Sequence, residues 1–294
     1  MTKGAAKIGS SGGFLQIIKG KIWKFRALDT LILILLCLAV LALALSLLMR
    51  RRRKPMLHQP FPEAWRPSLL RDIPFYRQLD PASQTEFEQR MMHFLATTRI
   101  TGVNTQVEDL DRIYIAASAI IPIFRFKDWE YINLHEVLLY PDAFDHEFQQ
   151  AGANRSILGM VGTGALNNLM VLSQHELRQA FLNKTGKSNT AIHEFIHLLD
   201  KTDGSIDGLP EFFLDKQYLL PWIQLMQEHI RQISQGRSDI DPYAATNTAE
   251  FFAVISEYFF ERPDLLQQKH PRLYAQLVRI FREPAGKTSV GRAD

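Results

Sequence analysis

The run His193-Glu194-Phe195-Ile196-His197 constrains the fold of this chain more than any other feature of its sequence. Two histidines at positions i and i+4 lie on one face of a helix, close enough to bind one zinc ion. The glutamate beside the first histidine can take a proton from a water molecule that the zinc activates. The sequence therefore predicts a helix from about Asn189 to Asp200 that carries part of a metal site.

Apolar residues define the side of this helix that faces the protein interior. They follow the spacing i, i+3, i+4, i+7 and are Ile192, Phe195, Ile196 and Leu199. His193 and His197 project about 120° away from that face, at the edge of the core, where a cleft can form. Asp200 points to the same side as His197. It either accepts a hydrogen bond from a histidine ring or is only a polar residue near the helix end.

An uninterrupted apolar run from Leu31 to Met49 predicts a membrane-spanning helix, which we place at residues 28–49. As a helix, the apolar run from Leu31 to Met49 rises about 28 Å, close to the ~30 Å hydrocarbon core of a bilayer. The run is apolar on all sides, unlike a buried soluble helix, and it is longer than the core of a usual signal peptide. The cationic cluster Arg50–Lys54 follows directly. Four cations on the N-terminal side nearly balance this cluster, but its higher density favours a single-pass inner-membrane protein with its C-terminal domain on the cytoplasmic side.

The charge is distributed unevenly along the chain. Residues 1–69 carry a net charge of +10 and the remainder carries −7, which together give the overall value of +3. A mildly acidic soluble domain argues against nucleic acid as its partner. The single cysteine, Cys37, excludes an intramolecular disulfide and lies within the predicted membrane helix.

The remaining patterns predict an α+β fold, a mostly helical domain with a small sheet. The predicted segments are a flexible basic tail (1–27), the membrane helix (28–49), a basic, proline-rich linker (50–69), the soluble domain (70–285) and a second tail (286–294). Helices are predicted at 81–96, 107–119, 189–200, 220–234, 248–261 and 271–281. Strands are predicted at 120–126, 131–140 and 169–173. The glycine-rich stretch 159–164 lacks the lysine of a phosphate loop and predicts a turn.

A catalytic zinc site needs a third protein ligand and an open position. No third histidine follows the first motif at the spacing of the three-histidine class, so a carboxylate is favoured. Glu250 and Glu257 lie on one face of the predicted helix 248–261. They are about 10.5 Å apart along its axis, too far to bind the same ion directly. Asn247 and Glu250 also have the spacing of a capping box, so periodicity leaves the third ligand open.

Several motifs in the same order resemble those of the Mlc titration factor A family, which are glucose-regulated zinc peptidases of bacteria. The motifs are IYIAASAIIPIF, VLLYPDAF, HEFIHLLD and DPYAATNTAEFFAVISEYFFE. The resemblance covers roughly residues 70–285. It implies a zincin-like domain similar in its core to the catalytic domain of anthrax lethal factor.

The resemblance also implies a gluzincin-like site and a role for each residue in it. His193, His197 and Glu250 would hold one zinc ion per chain, and Glu194 would be the general base. Tyr243 occupies the position of a family tyrosine that could stabilise an oxyanion, although a packing role is equally compatible. Glu257 would support a ligand or be structural.

Two functional hypotheses follow. The first is a membrane-anchored zinc metallopeptidase that hydrolyses a peptide or protein substrate, with the strand Leu169–Ser173 pairing with extended substrate at a sheet edge. The second is a regulatory module that sequesters a partner protein, such as a transcriptional repressor, at the membrane, with a structural or vestigial zinc site. Glu194 favours the first, because a purely structural site does not need a general base.

Overall fold

The structure is a computed structural model that describes residues 60–127, 129–143, 159–161, 168–183 and 185–281. Both predicted tails (1–27 and 286–294) and the predicted membrane helix (28–49) lie outside the described residues and stay predictions. Within the described ranges, no helix is long and apolar enough to cross a bilayer.

Helices dominate the described part of the chain. They are α1 (Arg66–Asp72), α2 (Pro74–Arg77), α3 (Pro81–Thr97), α4 (Asp109–Ile123), α5 (Gln174–Leu182), α6 (Thr190–Asp200), α7 (Lys216–Ser234), α8 (Thr248–Glu261), α9 (Pro263–Lys269) and α10 (Pro271–Phe281). Short 3-10 turns lie at Glu63–Trp65, Lys201–Asp203 and Pro242–Ala245. The predicted helices at 81–96, 189–200, 220–234, 248–261 and 271–281 are confirmed to within a few residues.

In the part of the chain that the structure describes, four strands form one mixed sheet. They are β1 (Arg99–Gly102), β2 (Glu136–Tyr140), β3 (Gly159–Val161) and β4 (Leu169–Ser173), in the spatial order β1-β2-β4-β3. Strands β1, β2 and β4 run parallel to one another, whereas β3 pairs with β4 in the antiparallel direction. The expected α+β class, mostly helical with a small sheet, is therefore confirmed for the described residues.

The neighbours of β4 correct one sequence-based prediction. The segment Leu169–Ser173 is a strand as predicted, but it pairs with β2 on one side and β3 on the other. Its backbone groups are thus already used, and it cannot pair with substrate at an edge. The edge on this side of the sheet is β3, which the sequence predicted as a turn because glycines weaken a strand signal.

The core is built around α4 and α6. Side chains from Ile113 to Ile123 are all buried, and α4 packs against α3, α5 and α6. Helix α6 also packs against α8. The four apolar residues of α6 predicted to face the interior are fully buried: Ile192, Phe195, Ile196 and Leu199. This arrangement fixes α6 between the remainder of the core and α8.

The strand predicted at 120–126 is wrong. Ile120 to Ile123 form the last turn of α4, and this turn includes Pro122. A helix buried on all sides shows the same continuous run of β-branched and aromatic residues as a buried strand, so the sequence pattern alone does not separate the two. The predicted strand 131–140 is confirmed only for Glu136–Tyr140.

The domain begins earlier than residue 70. The 3-10 turn Glu63–Trp65 and the first four residues of helix α1 lie within the predicted linker, where Trp65 and Leu69 are buried. The indole N–H of Trp65 donates to Oδ2 of Asp109 at 3.1 Å, which ties this segment to α4. Prolines suggested an extended linker, but Pro67 lies in the first turn of α1, where proline is compatible with a helix.

Candidate metal centre

Helix α6 brings the two histidines of the motif together. It begins after Asn189, whose side-chain oxygen accepts a hydrogen bond from the N–H of Ile192 at 3.1 Å and so caps the helix. One helical turn separates His193 from His197, and their Nε2 atoms lie 3.1 Å apart. Both side chains are buried. Their ring nitrogens therefore converge in a site largely shielded from water.

Helix α8 supplies the carboxylate that meets these rings. The side chain of Asn247 accepts a hydrogen bond from the N–H of Glu250 at 2.9 Å, as the capping signal predicted. The side chain of Glu250 faces the histidines: its Oε2 lies 2.9 Å from Nε2 of His193 and 3.4 Å from Nε2 of His197. The backbone N–H of Glu250 thus takes part in the helix cap, while its side chain reaches the two histidines.

These three atoms have the spacing and chemistry of a tetrahedral zinc site. Their separations of 2.9, 3.1 and 3.4 Å resemble the distance of about 3.3 Å between ligand atoms placed 2.0–2.1 Å from one tetrahedral ion. Two imidazole nitrogens and one carboxylate oxygen are a ligand set that zinc accepts. Among the described residues, His193, His197 and Glu250 form the cluster that could hold a metal ion. The residues present therefore fit a zinc ion.

The site also attracts positive charge in the absence of metal. Burial lowers the pKa of His193, but hydrogen bonds with Glu250 and Glu257 outweigh that effect and raise it to about 10. Although burial favours the neutral acid, hydrogen bonds from His193 and His197 hold the pKa of Glu250 well below its usual range. Glu250 is therefore ionised at neutral pH and can act as a ligand without losing a proton.

Glu257 contacts one of the histidines from outside the cluster. Its Oε1 accepts a hydrogen bond from Nδ1 of His193 at 2.6 Å, and its Oε2 accepts one from the backbone N–H of Asn189 at 2.5 Å. Because Glu257 holds a proton on Nδ1, Nε2 is the nitrogen that would bind a metal ion once the second ring proton has left. Glu257 thus supports a histidine that faces the site, one of the two roles the sequence allowed.

Asp200 has a different partner from the one proposed for it. Its Oδ2 accepts a hydrogen bond from the N–H of Gly208 at 2.7 Å. Nδ1 of His197 has no hydrogen-bond partner among the described residues. The hydrogen bond to a histidine ring of the motif therefore comes from Glu257 on α8 and not from the end of α6.

The turn at Gly208 contacts both the end of α6 and the start of α8. Gly208 has a φ of +78°, and a Cβ at this position would collide with the carbonyl of Thr248. The carbonyl of Gly208 accepts a hydrogen bond from the indole N–H of Trp222 at 2.8 Å. Together with the bond to Asp200, these contacts fix the beginning of α8, from which Glu250 reaches the histidines.

Glu194 lies beside the edge strand β3. It is only 5% exposed, and burial raises the pKa of its carboxyl group. A Cβ on Gly159 would lie 2.8 Å from Cγ and Oε1 of Glu194 and 2.8 Å from Cγ2 of Thr190. The backbone of β3 therefore passes directly against the residue that the motif assigns as the base.

Tyr243 stands at the opening of the site. It lies in the 3-10 turn before α8, its ring centroid is 6.0 Å from that of His193, and it is 53% exposed. Partial burial and the charge of Glu250 raise the pKa of its hydroxyl group, so that it stays protonated and can donate a hydrogen bond. Its position is compatible with contact to a bound substrate.

Sequence reasoning missed three residues that shape this site. Asn189 holds the start of α6, and its Nδ2 donates to Oε1 of Glu261 at 2.8 Å. Gly159 gives β3 its close approach to Glu194. A helix-capping signal was present for Asn189. For Glu261 and Gly159, no local pattern indicates partners so distant along the chain.

Comparisons with known proteins show what this chain is similar to. The model of the glucose-regulated metallo-peptidase M90 family matches residues 47–282, which include every residue of the site. The uncharacterized protein slr2042 of Synechocystis sp. is 29% identical over 78% of this chain and 87% of its own length. The Mlc titration factor A of Pectobacterium atrosepticum is 27% identical, with 75% and 86% covered, and that of Klebsiella pneumoniae is 26% identical, with 72% and 83% covered.

Proposed function

Because the chain belongs to the glucose-regulated metallopeptidase M90 family, we propose that it is a zinc-dependent peptidase anchored in the inner membrane, with its catalytic domain on the cytoplasmic side. The observation that carries the proposal is the convergence of His193, His197 and Glu250 beside the buried carboxylate of Glu194. A purely structural zinc site would need only the ligands.

Zinc would be held by Nε2 of His193, Nε2 of His197 and Oε2 of Glu250. When bound, it supplies Lewis acidity, which polarises a scissile carbonyl and acidifies water. The protein contributes the fixed ligand geometry and excludes most bulk water, since the ligand-bearing side chains are largely buried.

Glu194 would act as general base and then as general acid. Its carboxylate accepts a proton from the attacking water, and the same proton passes to the leaving amine when the C–N bond breaks. Water is thereby added across the peptide bond, and Glu194 returns to its starting state. Because burial raises its pKa, the carboxyl group has a proton affinity closer to that of a base that works near neutral pH.

The edge strand β3 would bind the substrate backbone. It pairs with β4 on one side, and it is the outermost strand of the described sheet on the other. An extended peptide that pairs with this edge would pass beside Glu194, because the backbone at Gly159 contacts that residue. Tyr243, on the exposed side of the site, would donate a hydrogen bond to the oxyanion.

The decisive experiment uses the full chain purified in detergent. We expect about one zinc per chain and cleavage of members of a peptide library. Glu194→Gln should keep the zinc and reduce kcat by roughly 10²–10⁴-fold, because it removes the base and leaves the ligands. Full peptidase activity in this variant would show that the assigned base is wrong.

A second candidate function rests on the names of the relatives. Those of Pectobacterium and Klebsiella are called Mlc titration factor A, a name that describes titration of Mlc. By analogy, this chain would sequester a partner protein, such as a repressor, at the membrane. Pull-down of candidate partners with wild type and Glu194→Gln separates the two functions. Equal binding by both, without hydrolysis by wild type, favours sequestration.

Membrane anchoring is tested independently of activity. The expected result is that a C-terminal tag is digested by protease in inverted membrane vesicles and protected in intact spheroplasts. Release of the whole chain by washing with carbonate would contradict the anchor, and digestion in spheroplasts would reverse the orientation.

A further inference from the structure

The described sheet has apolar side chains on both of its faces. The face toward the helices belongs to the main core and includes Leu139 and Leu172. The opposite face, called the outer face below, carries a smaller apolar cluster that is separate from that core. Its buried members are Tyr140 and Val171, and the partly buried side chains packed against them are Val103, Leu138 and Met160.

Strand pairing places Met160 at the end of one row of residues that crosses the sheet. Thr101 on β1 pairs with Leu138 on β2. Leu138 pairs with Val171 on β4, and Val171 pairs with Met160 on β3. The row is polar at its β1 end, where Oγ1 of Thr101 donates to Oε1 of Glu136 at 2.5 Å. It is apolar from β2 onward, and Met160 is its last member, on the outermost strand of the described sheet.

The neighbouring row faces the other way and ends beside the proposed base. Leu139 pairs with Leu172, and Leu172 pairs with Gly159. Gly159 faces α6, since a Cβ at this position would lie 2.8 Å from the side chain of Glu194. Side chains alternate between the two faces along a strand, so Met160 points away from α6. Its membership of the outer cluster agrees with this direction.

A substrate strand that pairs with the free edge of β3 would continue both rows. Its residue opposite Gly159 would lie beside Glu194, where the peptide bond is cleaved. The next residue would lie opposite Met160, with its side chain on the outer face. Directly opposed Cβ atoms on antiparallel strands are about 4.5–5.5 Å apart, which is close enough for their side chains to pack.

We propose that Met160 is a specificity-determining residue that selects a large apolar side chain at one substrate position within two residues of the cleaved bond. The proposal rests on the proposed peptidase function and on pairing of the substrate with β3. Its substrate class is an extended peptide segment with leucine, methionine or phenylalanine at that position. Such a side chain extends the apolar row of Leu138, Val171 and Met160 by one member and loses contact with water.

The chemistry of Met160 fits selection for apolar character more than for one residue type. Its unbranched thioether side chain adapts to partners of different shape. A charged substrate side chain at the same position would lose hydration against Met160 without gaining a polar partner. Thr101, the polar member of the row, is three strand spacings from Met160, or about 14 Å.

The test is cleavage of a peptide library by the full chain in detergent, with the products sequenced to give the preference at each position. Wild type should prefer leucine over aspartate and lysine by about 3–10-fold in kcat/KM at one position within two residues of the cleaved bond. Met160→Glu should favour lysine over aspartate there, and Met160→Lys should reverse that order, because opposite charges on facing strands attract. Preferences at the other positions should stay as in wild type.

Two further variants are controls. Met160→Leu keeps an apolar side chain of similar size and should keep the wild-type preference. Ile132, in the segment before β2, is 78% exposed and lies outside the sheet, so Ile132→Lys adds the same charge as Met160→Lys without facing the substrate strand. Its preferences should match those of wild type. An equal shift in Ile132→Lys and Met160→Lys would attribute the effect to overall charge and overturn the proposal.

Zinc content and thermal unfolding of each variant establish whether the site and the fold are intact. If a charged variant does not fold, Met160→Thr replaces it and should reduce the preference for leucine to less than about twofold. The same preference in Met160→Thr and wild type, or in Met160→Glu and Met160→Lys, would contradict the role. A wild-type chain that cleaves no library member refutes the peptidase function and this proposal with it, whereas cleavage without the apolar preference refutes only the role of Met160.

Discussion

Gly159 approaches Glu194 so closely that a methyl group cannot fit between them: a Cβ on Gly159 would lie 2.8 Å from both Cγ and Oε1 of that carboxylate side chain. The edge strand and the catalytic base of the proposed peptidase are therefore in direct contact. A change at this point should alter catalysis without altering the ligands of the metal.

The first prediction concerns Gly159→Ala. The new methyl group must displace Glu194 or the strand, and a base displaced by about 1 Å can cost up to about 100-fold in rate. We expect kcat to fall by about 10–100-fold while zinc content stays near that of wild type. Steady-state kinetics and metal analysis of the same preparation check this. An unchanged kcat would mean that Glu194 does not need its present position.

The second prediction separates the two roles of Tyr243. If its hydroxyl group stabilises an oxyanion, Tyr243→Phe should lower kcat by about 10–100-fold and leave zinc content and thermal stability unchanged. If the residue only packs, the variant should retain its activity, because the ring is kept. Because Tyr243 is half exposed, we expect the variant to fold as wild type does. Peptide cleavage measured alongside thermal unfolding distinguishes these outcomes.

The third prediction concerns metal removal. A ligand that binds only the folded state stabilises it by about 2.7 kcal/mol at a free concentration of 100 times its Kd. Zinc should therefore raise the unfolding temperature of the metal-stripped chain. His197→Ala should lose this shift because one ligand is gone, whereas Glu194→Gln should keep it. The same zinc-dependent shift in His197→Ala and wild type would exclude His197 as a ligand.

The fourth prediction concerns acid stability and a histidine far along the chain from the motif. His229 on α7 is buried, and its ring packs at 5.3 Å from that of His270. Burial and then the charge of His270 lower the pKa of His229 to about 4, below the value of about 6.5 in an unfolded chain. The unfolded state therefore binds the proton first, so this contribution to stability is complete above pH 6.5 and is lost as the pH falls toward 4.

Replacing His229 tests the predicted loss of stability as the pH falls. In the metal-stripped chain, His229→Phe should lose less stability than wild type between pH 6.5 and 4, by roughly 1–2 kcal/mol. Urea unfolding at a series of pH values provides the measurement. The exposed His175 is the control, and His175→Gln should follow the wild-type curve. An identical pH dependence for His229→Phe and wild type would mean that His229 is not held neutral by the fold.

Local patterns in the sequence predicted the metal helix well because its determinants are local. The apolar spacing from Ile192 to Leu199 and the i, i+4 histidines both act within one helix. Glu250 was different. It meets His193 only because α8 packs against α6, and spacing along its own helix could not choose between it and Glu257. The resemblance to a family made that choice, and the convergence of the three side chains agrees with it.

The failures of prediction also have physical causes. Residues 120–123 were predicted as a strand because burial on all sides removes the helical periodicity. Gly159–Val161 is only three residues long and opens a glycine-rich stretch, so it gives no strand signal, although its position at the sheet edge matters for the proposed substrate binding. Proline in the first turn of α1 was interpreted as part of a linker, because the burial of Trp65 and Leu69 depends on contacts that the local sequence does not show.

All three candidate ligands, and the carboxylate that holds His193, lie on α6 and α8, whereas the candidate peptide-binding edge lies on β3. Loading with metal and recognition of a peptide are consequently separable traits that mutations can alter one at a time. A relative that keeps the two helices and loses the glycine at β3 is expected to bind zinc while cleaving poorly. Metal content alone is therefore a poor guide to which members of this family are active proteases, and each needs a direct assay of cleavage.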